Sequence, residues 1–317
     1  MANSSSTAQI DHAVATYGLS KRAARNSLQD LPWDSLEKTM ANLWEPGNPD
    51  GLVFLGVAEN PLLHDEVIKH IESHFAITAG DHLGYGVGPR GSPRLRKAMA
   101  EFFTSNFKAH EPVLPEQVLV LPGVVAVLDA LSWAICDEEE GILVPLPFYT
   151  GFKPAVGERA RGRIIPASFR QIKGYLGLDD VFDPHMNRQA LEGALRNAAN
   201  DGVKARAVIL SNPHNPLGRC YPAETLKEVA RFCGRHNLHL ISDEIFADSV
   251  YDNEQAPNLA AFTSILALDL GDYIDPRLVH VAYGMSKDFG ATGLRVGTLH
   301  SRNEGLIAAV TSIWYSS

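Results

Sequence analysis

Five residues of this sequence are of types, and stand in settings, that could do chemistry together: Gly123, Asn215, Asp243, Lys287 and Arg295. Gly123 follows the apolar run Val118-Leu119-Val120-Leu121 and precedes an apolar helical segment that begins at Val124. Free backbone N–H groups at such a helix start form a ready anion site. Asn215 lies in a loop of two Asn-Pro dipeptides, whose prolines fix the backbone and would hold its amide rigidly. Asp243 closes an apolar strand, where an ionised carboxylate is costly unless a cation or a protonated ring nitrogen meets it. Lys287 also follows an apolar strand. Partly desolvated there, its amine would have a depressed pKa and could form an imine. Arg295, eight residues on, can return to the same pocket as a phosphate fork. Singly, a strand-end Asp or Lys reads as half of a structural ion pair. Jointly and in this order, the set describes a site for pyridoxal 5'-phosphate.

The elements needed to position these residues are legible as short apolar runs alternating with helical patterns. Runs occur at 53–55, 118–121, 142–144, 207–210, 238–241 and 279–282, the last read as the final strand. Helices are expected at about 65–75, from Val67, Ile71 and Phe75, and after Ser92-Pro93, an N-cap followed by a first-turn proline. Two more are expected at about 124–136 and 222–236, the latter with Leu226, Val229, Ala230 and Cys233 on one stripe. Strands of this kind, continuous rather than alternating, belong to a mainly parallel sheet covered by helices on both faces, an α/β fold. Polar residues cluster just after each strand, at the carboxyl edge where such sheets bind ligands. Residues 1–62 read as an N-terminal arm with a segment of a smaller domain, and 63–317 as the large cofactor-binding domain.

The chain has 317 residues, 28 Lys+Arg, 37 Asp+Glu and 45% hydrophobic residues, an ordinary globular composition. Its net charge of −9, without Lys/Arg runs, argues against nucleic acid as partner. No run approaches the roughly 20 apolar residues of a membrane span. The polar start lacks a signal-peptide layout, and three cysteines do not suggest a disulfide framework, so a cytoplasmic setting is expected. Gly86-Val87-Gly88-Pro89-Arg90-Gly91 matches a dinucleotide fingerprint only formally, since no strand precedes it and Pro89 breaks the turn. His70 and His74 lack a third ligand, and Cys220, Cys233, His236 and His239 fall on core positions, so no metal site is expected. No G-x-S-x-G elbow supports serine hydrolysis.

Asn212-Pro213-His214-Asn215-Pro216-Leu217-Gly218, Ser242-Asp243-Glu244-Ile245, and Ser286-Lys287-Asp288-Phe289-Gly290 with Gly293-Leu294-Arg295-Val296-Gly297 resemble class I/II aminotransferases of pyridoxal-enzyme fold type I. More narrowly, Gly56-Val57-Ala58-Glu59-Asn60 and Pro147-Phe148-Tyr149-Thr150-Gly151-Phe152 resemble the 1-aminocyclopropane-1-carboxylate synthase branch, which includes synthases, transaminases and carbon–sulfur lyases. The resemblance implies a three-layer α/β/α large domain and the cofactor pyridoxal 5'-phosphate. It implies that Lys287 bonds the cofactor aldehyde and then serves as proton-transfer base, and that Asp243 pairs with the ring nitrogen. Asn215 would hydrogen-bond the ring's phenolate oxygen and Tyr149 would stack on its face. Arg295, Ser286 and the N–H groups around Gly123 and Val124 would hold the phosphate. Ala58 and Glu59 would approach a small amino-acid substrate, and Tyr85 would reach the neighbouring subunit's site in a homodimer.

Three departures accompany the resemblance. Phe246 stands where the family usually has tyrosine, which implies a raised imine pKa. Gly284 and Val125 stand where the family often has phosphate-binding hydroxyls, which shifts the grip toward backbone N–H groups and Arg295. The sequence ends 30 residues beyond Lys287, so the family's C-terminal small domain, with the arginine that clamps the substrate carboxylate, is expected to be missing. The favoured expectation is an aminotransferase. The alternatives are a lyase performing β- or γ-elimination and a cofactor-binding relative with impaired catalysis.

Overall fold

The computed structural model describes residues 2–28, 33–84, 88–256 and 258–313. The chain divides into two compact units, Met1–Ala58 and Glu59–Ser317. Among the described residues, the first holds the helices α1 (Ala2–Tyr17), α2 (Lys21–Ser27) and α3 (Trp33–Met40). The run at 53–55 forms no strand, and its three residues are exposed.

The second unit is built on one seven-stranded sheet. Its strands are β1 (Val118–Leu121), β2 (Gly141–Pro145), β3 (Arg163–Ala167), β4 (Ala205–Ser211), β5 (His239–Asp243), β6 (Val279–Gly284) and β7 (Gly297–Ser301). They lie in the order β1-β7-β6-β5-β4-β2-β3. Every pairing is parallel except the two made by β7, which runs against both β1 and β6. Because β7 is reversed, the residues just before it arrive at the same edge as the residues just after the parallel strands.

The helices of this unit are α4 (His64–His74), α5 (Ala79–His82), α6 (Pro93–Ser105), α7 (Val124–Ile135), α8 (Phe152–Gly157), α9 (Pro184–Asn200), α10 (Ala223–His236) and α11 (Glu304–Ile313). The expected cap on α6 is present, with Ser92 Oγ accepting from Leu95 N–H at 3.2 Å and Pro93 in the first turn. Strand alternation divides the core into two layers. Leu143, Val208, Leu210, Leu240 and Val281 pack with Phe103 of α6, Leu191 of α9 and Leu226 of α10. Ile142, Val144, Ala207, Ile209 and Ile241 pack with Leu128 and Leu131 of α7, Phe152 of α8 and Leu306 of α11. Burial on both faces is the reason these strands read as continuous apolar runs. Truncating one such residue, for example Leu131 to Ala, would cost about 2–5 kcal/mol.

Among the described residues, no helix is long and apolar enough to cross a membrane.

Candidate active site

The carboxyl edge of the sheet gathers most of the chemistry-bearing residues. Gly123 ends the turn after β1 and caps α7 with φ 87° and ψ 165°, a backbone region that only glycine adopts without strain. A Cβ built there would lie 3.0 Å from Arg295 Cζ, so the guanidinium rests directly on the glycine. Arg295 arrives from the segment before the reversed strand β7, its Nη1 donating to the Thr292 carbonyl at 2.9 Å and its Nη2 to the Pro122 carbonyl at 3.5 Å. Gly284 and Gly297, directly paired across β6 and β7, keep this corner open. A Cβ on Gly297 would meet Val124 N at 2.7 Å, and one on Gly284 would meet the Val296 carbonyl at 2.6 Å. Val125 is exposed on α7, while Ser286 is buried and its carbonyl accepts from Thr292 Oγ1 at 2.9 Å. A glycine-walled corner at a helix N-terminus with a guanidinium beside it suits a phosphate dianion.

Asp243 is the last residue of β5, set in register between Ser211 of β4 and Ala282 of β6. Alternation from Ile241 places it on the face covered by α7 and α8. It is 4% exposed, and Ile245 N–H donates to its Oδ1 at 3.3 Å. Burial pushes this carboxyl up to about 7, against the pull of that N–H. Such a group calls for a cationic partner, and a protonated ring nitrogen would supply one. The Tyr149 hydroxyl is held above its usual range by burial and by the Asp243 carboxylate, so ring and carboxylate share one electrostatic neighbourhood. The Tyr149 ring lies over Gly151, where a Cβ would come 2.6 Å from the phenol oxygen, and stands edge-on to Phe152 at 5.6 Å.

Asn215 is half-buried in the loop after β4, its N–H donating to Ser211 Oγ at 3.3 Å. It lines a small cavity with Phe148, Ser211, His214 and Tyr221, which brings the Asn215 loop against the loop that carries Tyr149. Lys287 is half-buried in the turn after β6. Burial draws its amine below the ordinary lysine range; the Glu59 carboxylate opposes this and the Arg295 guanidinium reinforces it. Glu59 and Arg295 are therefore each close enough to act on the Lys287 amine. The structure thus brings Gly123, Val124, Tyr149, Asn215, Asp243, Ser286, Lys287 and Arg295 to one edge, with Glu59 beside the lysine. Ala58 is the exposed last residue of the first unit. Tyr85 lies outside the described residues.

Several residues at this edge were not singled out from the sequence. The Asp288 carboxylate accepts from Asp248 N–H, Ser249 Oγ and the Tyr283 hydroxyl. Glu244 is fully buried, with its carboxylate held by Ser242, Ser264 and Ile265 N–H. Their places beside Asp243 and Lys287 in the motifs were the only signal. Phe246 packs half-buried against the core layer of α7 and α8.

A profile of the family described as Aminotransferase class I and II matches residues 51–314. "Probable aminotransferase sirI" of Leptosphaeria maculans is 33% identical over 89% of this chain and 64% of its own length. Human 1-aminocyclopropane-1-carboxylate synthase-like protein 1 is 33% identical over 96% of this chain and 60% of its own. The chain thus spans under two thirds of both relatives. The aspartate aminotransferase of Thermus thermophilus with maleate superposes with a TM-score of 0.67 at 23% identity, over 94% of this chain and 68% of that one, a likeness of fold.

Proposed function

Because the chain belongs to the aminotransferase class I and II family, whose members depend on pyridoxal 5'-phosphate, we propose that it is an aminotransferase of small amino acids in which Lys287 engages the cofactor. The observation that carries the reading is the meeting, at one sheet edge, of the Gly123–Arg295 corner, the buried Asp243 and the partly desolvated Lys287. When bound, the cofactor supplies an aldehyde and a ring that accepts electron density from the substrate's α-carbon. The chain's own residues have the remaining work. Asp243 holds its carboxylate ionised against a protonated ring nitrogen and so keeps that nitrogen charged. Arg295, Ser286 and the N–H groups of Gly123 and Val124 hold the phosphate. Asn215 orients the ring through its oxygen, and Tyr149 covers one face and excludes water. Lys287 Nζ, drawn below the ordinary lysine range by burial, takes and returns the substrate's α-proton. Glu59 and Ala58 are proposed to face the substrate, and Tyr85 to complete the neighbouring site of a homodimer.

A second reading, elimination, is favoured by the name of the human relative. Both reactions begin with loss of the α-proton and differ in the group that then leaves. The purified protein, loaded with cofactor, would be offered an amino donor with a 2-oxo acid and, separately, an S-substituted cysteine. Keto-acid exchange supports the proposal, thiol release supports the lyase, and neither product from the loaded protein refutes both.

A further inference from the structure

Asp288 follows the lysine directly, yet its side chain turns to other elements. Its Oδ1 accepts from Ser249 Oγ at 2.6 Å, and its Oδ2 from Asp248 N–H at 2.9 Å and the Tyr283 hydroxyl at 3.0 Å. Tyr283 is a fixed post. It is 1% exposed in β6, with Phe102 stacked at 5.4 Å and Phe107 edge-on at 5.0 Å. Asp248 and Ser249 lie on the segment that leaves β5 just after Asp243, and Ser249 N–H closes a turn onto the Phe246 carbonyl at 3.0 Å. Lys287 sits in a tight turn of its own, its carbonyl accepting from Gly290 N–H at 3.1 Å while Ala291 N–H reaches the Met285 carbonyl at 3.3 Å. Asp288 therefore joins three things: the aromatic core, the chain after Asp243 and the turn of Lys287.

We propose that Asp288 is a positioning residue that sets where the Lys287 amine stands relative to Asp243, by tying the segment after β5 to the turn after β6. The inference rests on the cofactor-site reading above and adds to it a residue that touches neither cofactor nor substrate. A carboxylate suits the post because both oxygens are used, one by two donors at once; an amide would present a donor where one of the three donors must be received. Charge assistance strengthens each bond.

The test uses Asp288→Ala together with Tyr283→Phe and Ser249→Ala, which each delete one donor and leave the fold's apolar packing in place. In the cofactor-free proteins, hydrogen exchange at the Asp248 amide should quicken about tenfold or more in Asp288→Ala. The pH profile of Lys287 acylation, followed by mass spectrometry, should move toward that of an exposed lysine, most in Asp288→Ala and less in the single-donor variants. With pyridoxal 5'-phosphate, Asp288→Ala should bind about tenfold more weakly. Unchanged exchange at Asp248 would show that the tie does not exist. Faster exchange with an unmoved Lys287 profile would show that the tie is structural only; either result overturns the proposal. A wild-type protein that binds no cofactor would instead refute the site reading, while the two cofactor-free measurements would still judge Asp288.

Discussion

Substituting alanine for Gly123 probes the phosphate corner with a single methyl group. The residue sits at φ 87° and ψ 165°, where a side chain costs about 1–3 kcal/mol. The added Cβ would stand 3.0 Å from Arg295 Cζ. Carbon contacts settle at about 3.5–4.0 Å, so the guanidinium must retreat by roughly 0.5–1 Å. Its 3.5 Å bond to the Pro122 carbonyl is long enough to yield easily, so the arginine, rather than the helix, gives way. At about 2–4 °C per kcal/mol for a chain of this size class, the backbone cost alone predicts a melting temperature lower by roughly 2–12 °C in the cofactor-free protein. Displacing one charged hydrogen-bond donor, worth about 1.5–3 kcal/mol, predicts affinity for pyridoxal 5'-phosphate weaker by on the order of 10- to 100-fold. Absorbance titration with pyridoxal 5'-phosphate and with phosphate-free pyridoxal, in both proteins, separates the effects. The loss should be confined to the phosphate-bearing ligand. Equal weakening of both ligands, or of neither, would refute the assignment of this corner.

Two further substitutions address the ring. Phe246→Tyr should lower the apparent pKa of the bound chromophore by about 1–2 units, the worth of one hydrogen bond to a charged oxygen, and superimposable spectral titrations of the two proteins would contradict this. In the cofactor-free protein, Asp243 keeps its proton to about 7, whereas the unfolded chain releases it near the ordinary 3.8. Stability is therefore lost as pH climbs from about 4 to 7 and recovered as pH falls. Asp243→Asn removes this dependence while leaving Glu244 in both proteins, so the melting temperature of the wild type should gain on the variant as pH drops from 7 to 4. Parallel curves would refute a carboxyl whose pKa is raised by burial.

Much of this architecture was readable because each feature was local. The strands β1, β2, β4, β5 and β6 are buried on both faces and announce themselves as apolar runs, and Ser92-Pro93 announces α6. The strand β7 was missed although all of Gly297-Thr298-Leu299-His300-Ser301 is buried. Thr298 Oγ1 donates to the Tyr283 carbonyl and Ser301 Oγ bonds His280 Nδ1, both on the neighbouring β6, and with Thr298, His300 and Ser301 interrupting the strand no apolar run remains to be seen. The helix α9 buries Ala190, Ala194 and Ala198 at spacing four, a stripe too weakly apolar to stand out. At the site, Gly123, Asp243 and Lys287 were legible because each follows its own apolar strand, and Arg295 because it stands eight residues after Lys287. The three donors of Asp288 were not, since Asp248 and Ser249 come from about forty residues away and only the fold brings them to it.

The most direct test of the account is to load the protein with pyridoxal 5'-phosphate, reduce it with borohydride and locate the modified lysine by peptide mass spectrometry. The account predicts a single phosphopyridoxyl group on Lys287, absent from Lys287→Ala. A group on another lysine, or the same yield of adduct from the Lys287→Ala protein, would contradict it.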